Sequence, residues 1–123
     1  MPDGRNKMDR SLLGMKLVCG DDVYDVSGEY VGEVEDLMFD TAAGRVTYAV
    51  VAAGGFLGLG QKRYAIPWSA ISFDSEYKKC MLNIDQAELL DAPTLDDNHW
   101  LHAVDPSWAE QIQAYFAGHS RRA

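Results

Sequence analysis

The sequence predicts an all-β domain, a small antiparallel β-barrel with short C-terminal helices packed on it. Three observations carry that reading. Residues 16–84 hold a succession of short β-favouring runs separated by glycine turns. One of these runs, Arg45–Ala53, is apolar on both faces, as a strand covered on both sides must be. Two helix-start signals then follow the last run instead of lying between runs, which places the helices on a barrel and not in parallel crossovers.

The chain has 123 residues, enough for one domain. Hydrophobic residues make up 47% and charged residues 24%, the balance of an ordinary globular protein, so wholesale disorder is excluded. No apolar run approaches the ~20 residues of a membrane-spanning helix. Met1–Arg10 is polar and lacks the apolar centre of a secretory signal, so the cytoplasm is the expected location. The formal net charge of -8 opposes binding to nucleic acid or anionic lipid by bulk electrostatics, though a local basic patch is still allowed.

Residues 1–10 read as a mobile arm, 11–84 as the barrel, 85–118 as a helical extension and 119–123 as a mobile tail. Within the barrel, Lys16–Cys19 is a short apolar stretch stopped by Gly20-Asp21-Asp22, and Val23–Val26 follows up to the turn at Ser27-Gly28. Tyr30–Phe39 is a long strand whose alternation switches parity. Val34 and Met38 fall on one face while Val31, Leu37 and Phe39 fall on the other, which calls for a bulge, with Gly32 a natural place for it. Ala42-Ala43-Gly44 turns the chain into Arg45–Ala53. Lys62–Ile66 is the next strand, Trp68–Ile71 a turn or 3₁₀ piece, and Glu76–Ile84 the last strand. Asp85 and Glu88 form a capping box for a short helix that ends before Pro93. Asp105 caps a second helix with Pro106 at its first position. Trp108, Ile112, Tyr115 and Phe116 make its apolar stripe, and Gly118 ends it.

Several segments invite a chemical reading. Gly54-Gly55-Phe56-Leu57-Gly58-Leu59-Gly60 is glycine-rich, but neither G-x-G-x-x-G nor the phosphate-loop pattern fits, and a strand instead of a helix follows. It reads as a long hairpin loop. Phe56, Leu57 and Leu59 are costly to leave in water, so the loop either folds back as a lid or docks on a partner, and these three residues are the candidate interface. Asp21, Asp22, Asp25, Glu29, Glu33, Glu35, Asp36 and Asp40 lie in a stretch without Lys or Arg. They lack the spacing of a calcium loop and read as a solvated acidic face, or as a docking face for a basic partner. Lys62, Arg63, Lys78 and Lys79 form a candidate basic patch for phosphate contacts.

His99 and His102 are too weak a pair to imply a metal, even with Asp96 and Asp97 nearby. Cys19 and Cys80 fit no zinc motif. They read as two reduced thiols, with a cross-strand disulfide as the alternative. No nucleophile elbow is present, and no carboxylate pair stands out as an acid–base dyad. Catalytic, cofactor-binding and metal-binding residues are therefore all expected to be absent. The tryptophans and tyrosines read as packing residues, Trp68, Trp100, Trp108 and Tyr115 among them, together with Phe116.

The run Leu13-Gly14-Met15-Lys16-Leu17-Val18, followed by Gly28–Asp40, Gly44–Val51, Gly54–Gly58 and Ala65-Ile66-Pro67-Trp68, resembles the PRC-barrel family, with the elements in the family's order. Asn98, Trp100 and Asp105–Trp108 resemble the extension found on stand-alone bacterial members. Such domains occur in the H subunit of photosynthetic reaction centres and in a ribosome maturation factor. The resemblance implies a small β-barrel without established catalytic residues that works mainly as an adaptor. The sequence shows neither the transmembrane helix of the H subunit nor the extra N-terminal domain of the ribosome factor. The expectation is a non-enzymatic protein-interaction barrel, self-associating through the loop and an exposed sheet edge, with a dimer favoured. Nucleic acid is not the expected partner. The alternatives are an RNA- or ribosome-associated factor using Lys62, Arg63, Lys78 and Lys79, or a small-molecule-binding barrel.

Overall fold

The structure, a computed structural model, describes residues 14–54, 60–74, 76–95 and 106–119. In chain order these form α1 (Met15–Val18), β1 (Asp22–Tyr24), β2 (Tyr30–Asp40), β3 (Arg45–Ala53), β4 (Lys62–Pro67), a 3₁₀ turn (Trp68–Ala70), β5 (Ile71–Asp74), β6 (Lys79–Leu82), α2 (Gln86–Leu90) and α3 (Pro106–His119). The strands make one sheet in the order β4-β3-β2-β1-β6-β5. It curls into an open half-barrel whose edge strands, β4 and β5, are joined at one corner by the 3₁₀ turn.

Four of the strand pairs are antiparallel, but β1 and β6 run parallel. The all-antiparallel expectation is corrected here. A parallel pair needs a long connection between its members, and the whole of β2–β5 supplies it.

β3 is buried without interruption from Tyr48 to Ala53, as its two apolar faces require. The parity switch in β2 is real, but it does not fall at Gly32. Against β3 the register steps over Glu35, between Val34↔Val51 and Asp36↔Val50. Against β1 it steps over Val31, between Val23↔Gly32 and Tyr24↔Tyr30. Such steps add twist and help the sheet curl. Gly32 serves close approach instead: a Cβ there would lie 2.0 Å from the carbonyl oxygen of Ala52.

Lys16–Cys19, expected as strand, is instead the end of one helical turn, with the Cys19 N–H bonded to Met15 O at 3.0 Å. The place beside β2 is taken by the next residues, for Gly20 donates to Val34 O and Val34 donates to Asp21 O. The expected Glu76–Ile84 strand shortens to β6, and Ile71, expected in a turn, opens β5. The cause is Asp74, whose Oδ1 accepts the N–H groups of Glu76 (3.0 Å) and Tyr77 (3.3 Å) and so turns the chain into a hairpin. Lys78 completes the turn with φ of 54°.

The capping box is present as expected. Asp85 accepts from Glu88 N at 2.8 Å, and the Glu88 carboxylate accepts from Asp85 N at 3.0 Å. Trp108, Ile112 and Phe116 of α3 are buried and Tyr115 is half-buried. The helix continues past Gly118 to His119, so Gly118 does not end it. α3 packs on β4, with Trp108 edge-on to Tyr48 at 5.4 Å. The Tyr115 hydroxyl donates to Glu88 O at 2.6 Å and ties α3 to α2. The core runs from Val23, Val31 and Val34 through Val50 and Ile66 to Cys80 and Ile84. Cys80 is buried and Cys19 half-buried, and the two thiols are not bonded to each other.

Candidate interaction surface

Alternation decides which side chains of β1 and β6 face outward. Val23 and Cys80 are fully buried, so Asp22, Tyr24, Lys79 and Met81 point away from the core. Strand register then sets these residues beside those of β2 and β5. One row runs Tyr30, Tyr24, Met81, Ser72, and the next runs Glu33, Asp22, Lys79, Asp74.

The Tyr24 and Tyr30 rings meet edge to face at 5.9 Å. The Lys79 ammonium lies 5.7 Å from the ring centres of both Tyr24 and Tyr77, within cation–π range of each. Tyr30 is 43% exposed, Tyr77 68% and Met81 37%, so the surface is aromatic and wet at once. Burial, and then the carboxylates of Glu33 and Asp22, push the Tyr30 phenol above its usual range. Neither carboxylate forms an ion pair among the described residues.

The acidic stretch is for the most part the solvated face expected of it, since Asp22, Glu29, Glu33, Glu35 and Asp40 are exposed. Asp21 and Asp25 are corrections, because both are buried. Asp25 is a structural acceptor: Oδ1 takes the N–H groups of Ser27 and Glu29, and Oδ2 takes that of Gln86. Burial raises the Asp21 carboxyl, while nearby Lys78 pulls it down and Asp22 pushes it up.

The basic residues fall into two pairs. Lys62 and Arg63 begin β4, at one edge of the sheet, and Arg63 is ion-paired with Glu35 on β2. Lys78 and Lys79 sit at the start of β6, four places away in the strand order. The sheet does not set the two pairs side by side. Phe56, Leu57 and Leu59 lie outside the described residues, as do His99, His102 and Trp100. Trp68, expected as packing, is 41% exposed, with its ring against Phe73 at 4.8 Å.

Neither thiol is set up as a nucleophile. Burial, with Asp21 adding to it, pushes Cys80 up to about 12, and burial, Asp36 and Asp21 raise Cys19. Among the described residues no group of His, Cys, Asp and Glu converges as metal ligands. One open cleft of about 490 Å³ lies between the β2–β3 hairpin and α3, lined by Met38, Phe39, Tyr48 and Ala109 among others. Another of about 220 Å³ lies beside Gly32 and Gly54.

Sequence reasoning missed the surface tyrosines and Met81. The available signal was Tyr24 alternating with Val23, and Met81 with Cys80, which sets one residue of each pair outside.

A family model described as PRC-barrel domain matches residues 15–89. No curated protein matches the chain. Among solved structures, the chain is similar to the crystal structure of a 16S ribosomal RNA processing protein, RimM, from Pseudomonas aeruginosa. Identity is 19%, the match covers 63% of this chain and 49% of that one, and the TM-score is 0.43. The match therefore spans about half the length of that protein.

Proposed function

The chain belongs to the PRC-barrel domain family, and from that premise we propose that it is a non-enzymatic protein-interaction module of the cytoplasm. The observation that supports this is the outward face of β2, β1 and β6. Tyr24 and, from the turn before β6, Tyr77 lie around Lys79, Tyr30 packs on Tyr24, and Tyr30, Tyr77 and Met81 are exposed; solvation alone gives no reason for so much exposed aromatic surface. Tyrosine and methionine suit an interface because they offer large contact area on an adaptable surface.

The test is capture from native lysate on immobilised protein, wild type beside the double variant Tyr77→Ser/Met81→Ser, with nuclease treatment and a salt series. Recovery of one nuclease-resistant protein that the variant loses supports the module. Recovery of the same proteins by wild type and variant counts against this face.

An RNA- or ribosome-associated role is the second reading. The occurrence of PRC barrels in a ribosome maturation factor supports it, and so does a lysine set among tyrosine rings, which also suits stacking on bases. In the same experiment that role gives RNA and ribosomal proteins that nuclease and added salt remove together.

A further inference from the structure

We infer that the face formed by Tyr24, Tyr30, Tyr77 and Lys79 with Asp22 and Glu33 receives a basic, arginine-bearing segment of a protein partner. The inference rests on the interaction-module reading and names the chemistry of its partner.

Two features of the site point to a cation. Tyr24 and Tyr77 already accept one, since the Lys79 ammonium stands 5.7 Å from each ring. The geometry that favours an ammonium over a ring also favours a guanidinium, which stacks more readily. Asp22 and Glu33 are cross-strand partners in the row next to that of Tyr24 and Tyr30, and neither has an ion-pair partner among the described residues. An incoming arginine can stack on the exposed aromatic surface of this face and reach a carboxylate with its fork.

The long-range field agrees. A chain of net charge -8 attracts a basic partner and repels both a second copy of itself and a nucleic acid. Met81, 37% exposed beside Tyr24, gives the apolar stem of a long basic side chain something to lie against.

The experiment titrates the full chain with an arginine octamer by calorimetry, and follows backbone resonances in parallel. A glutamate octamer and a uridine octanucleotide serve as controls. The arginine octamer is expected to bind and to shift the resonances of residues 22–24, 30–33 and 77–81, and neither control is expected to bind. Asp22→Asn/Glu33→Gln should weaken binding more than Glu110→Gln/Asp91→Asn, which removes the same charge elsewhere. Tyr77→Ser, which changes no charge at an exposed site, should weaken it about two- to fivefold.

Equal losses from the two charge-removing pairs, together with an unchanged Tyr77→Ser, would mean that only net acidity was being read, and the inference fails. Binding of the oligonucleotide that depends on Lys79 overturns it in favour of nucleic acid. A dimer that Tyr77→Ser disperses in sedimentation overturns it in favour of a second copy. Should the double carboxylate variant fail to fold, Tyr77→Ser decides alone. A lysate partner retained by Tyr77→Ser sinks this inference and leaves the module reading standing. Octamer binding as described with nothing recovered from lysate means that the face takes a cation without serving a partner, and the module reading and this inference fall together.

Discussion

Asp25 is expected to be among the most costly single side chains to remove from this fold. The residue is 2% exposed, and its carboxylate accepts three backbone N–H groups, from Ser27 and Glu29 at 2.9 Å each and from Gln86 at 2.8 Å. The last bond joins the turn after β1 to the first residue of α2, across 61 positions of sequence. Asp25→Ala removes all three bonds. A buried donor left without a partner costs about 1–3 kcal/mol. Ser27 and Glu29 are exposed and water can serve their N–H groups, so they belong at the low end, while Gln86 is half-buried. The sum is about 3–4 kcal/mol, a large share of the roughly 5–15 kcal/mol that holds a domain folded. Asp25→Asn keeps one oxygen for Ser27 and Glu29 but turns an amide N–H₂ towards the Gln86 N–H, so about half the loss is expected. Urea unfolding followed by tryptophan fluorescence reads this directly. With a slope of about 1–3 kcal/mol per molar urea, the Ala midpoint should fall by about 2 M with the slope unchanged, and the Asn midpoint should lie between Ala and wild type. An Ala variant within about 1 kcal/mol of wild type, or an Asn variant no better than Ala, would refute the reasoning.

Three further substitutions follow from the same geometry. Gly32→Ala forces a Cβ to 2.0 Å from the Ala52 carbonyl oxygen, where only backbone can give way, so a loss of at least about 3 kcal/mol is expected in urea unfolding, or no soluble protein. Tyr115→Phe removes the 2.6 Å hydrogen bond to Glu88 O and should cost about 1 kcal/mol, visible as a melting temperature lower by a few degrees. The raised Cys80 thiol should ignore a thiol reagent at pH 8 in the native protein and react once urea unfolds it. The folded protein holds that proton more tightly than the unfolded chain does. Its contribution to stability is therefore full below pH 9 and declines as pH rises towards 12, and Cys80→Ala should flatten the stability–pH curve in that window.

What could be read from the sequence was whatever a local signal encodes. The β3 boundaries, the capping box and the Trp108–Phe116 stripe each depend on residues within two or three turns or a few strand positions of one another. Features set by distant partners could not be read in this way. The place of α1 was decided by Val34, which bonds to Gly20 and Asp21 and leaves no strand position for Lys16–Cys19. The parallel β1–β6 pair joins segments more than 50 residues apart, and nothing in either segment states its direction. Asp25 looked like one more acid in an acidic run because its third donor, Gln86, lies at the far end of the barrel sequence. The β5–β6 hairpin was hidden for a different reason. Lys78 holds a positive φ that a turn search looks for in glycine or asparagine, and the telling residue was Asp74, which caps the turn with its side chain.

The periodicity of the strands does, however, divide the sheet into a covered half and an open half. β3 and β4 are buried almost continuously, Tyr48–Ala53 and Tyr64–Pro67, because α3 and the segment at Leu95 lie against them. Their outward positions are mostly small or apolar, and a helix can come close only over such residues. β1 and β6 alternate instead, with one buried residue between two that reach solvent, and the outward ones are Asp22, Tyr24, Lys79 and Met81. A helix could not settle over that row without burying two charges. The same composition that keeps the chain's own helices away leaves a face of rings and carboxylates in water. Such a face offers contacts to a ligand that carries a cation and an apolar stem.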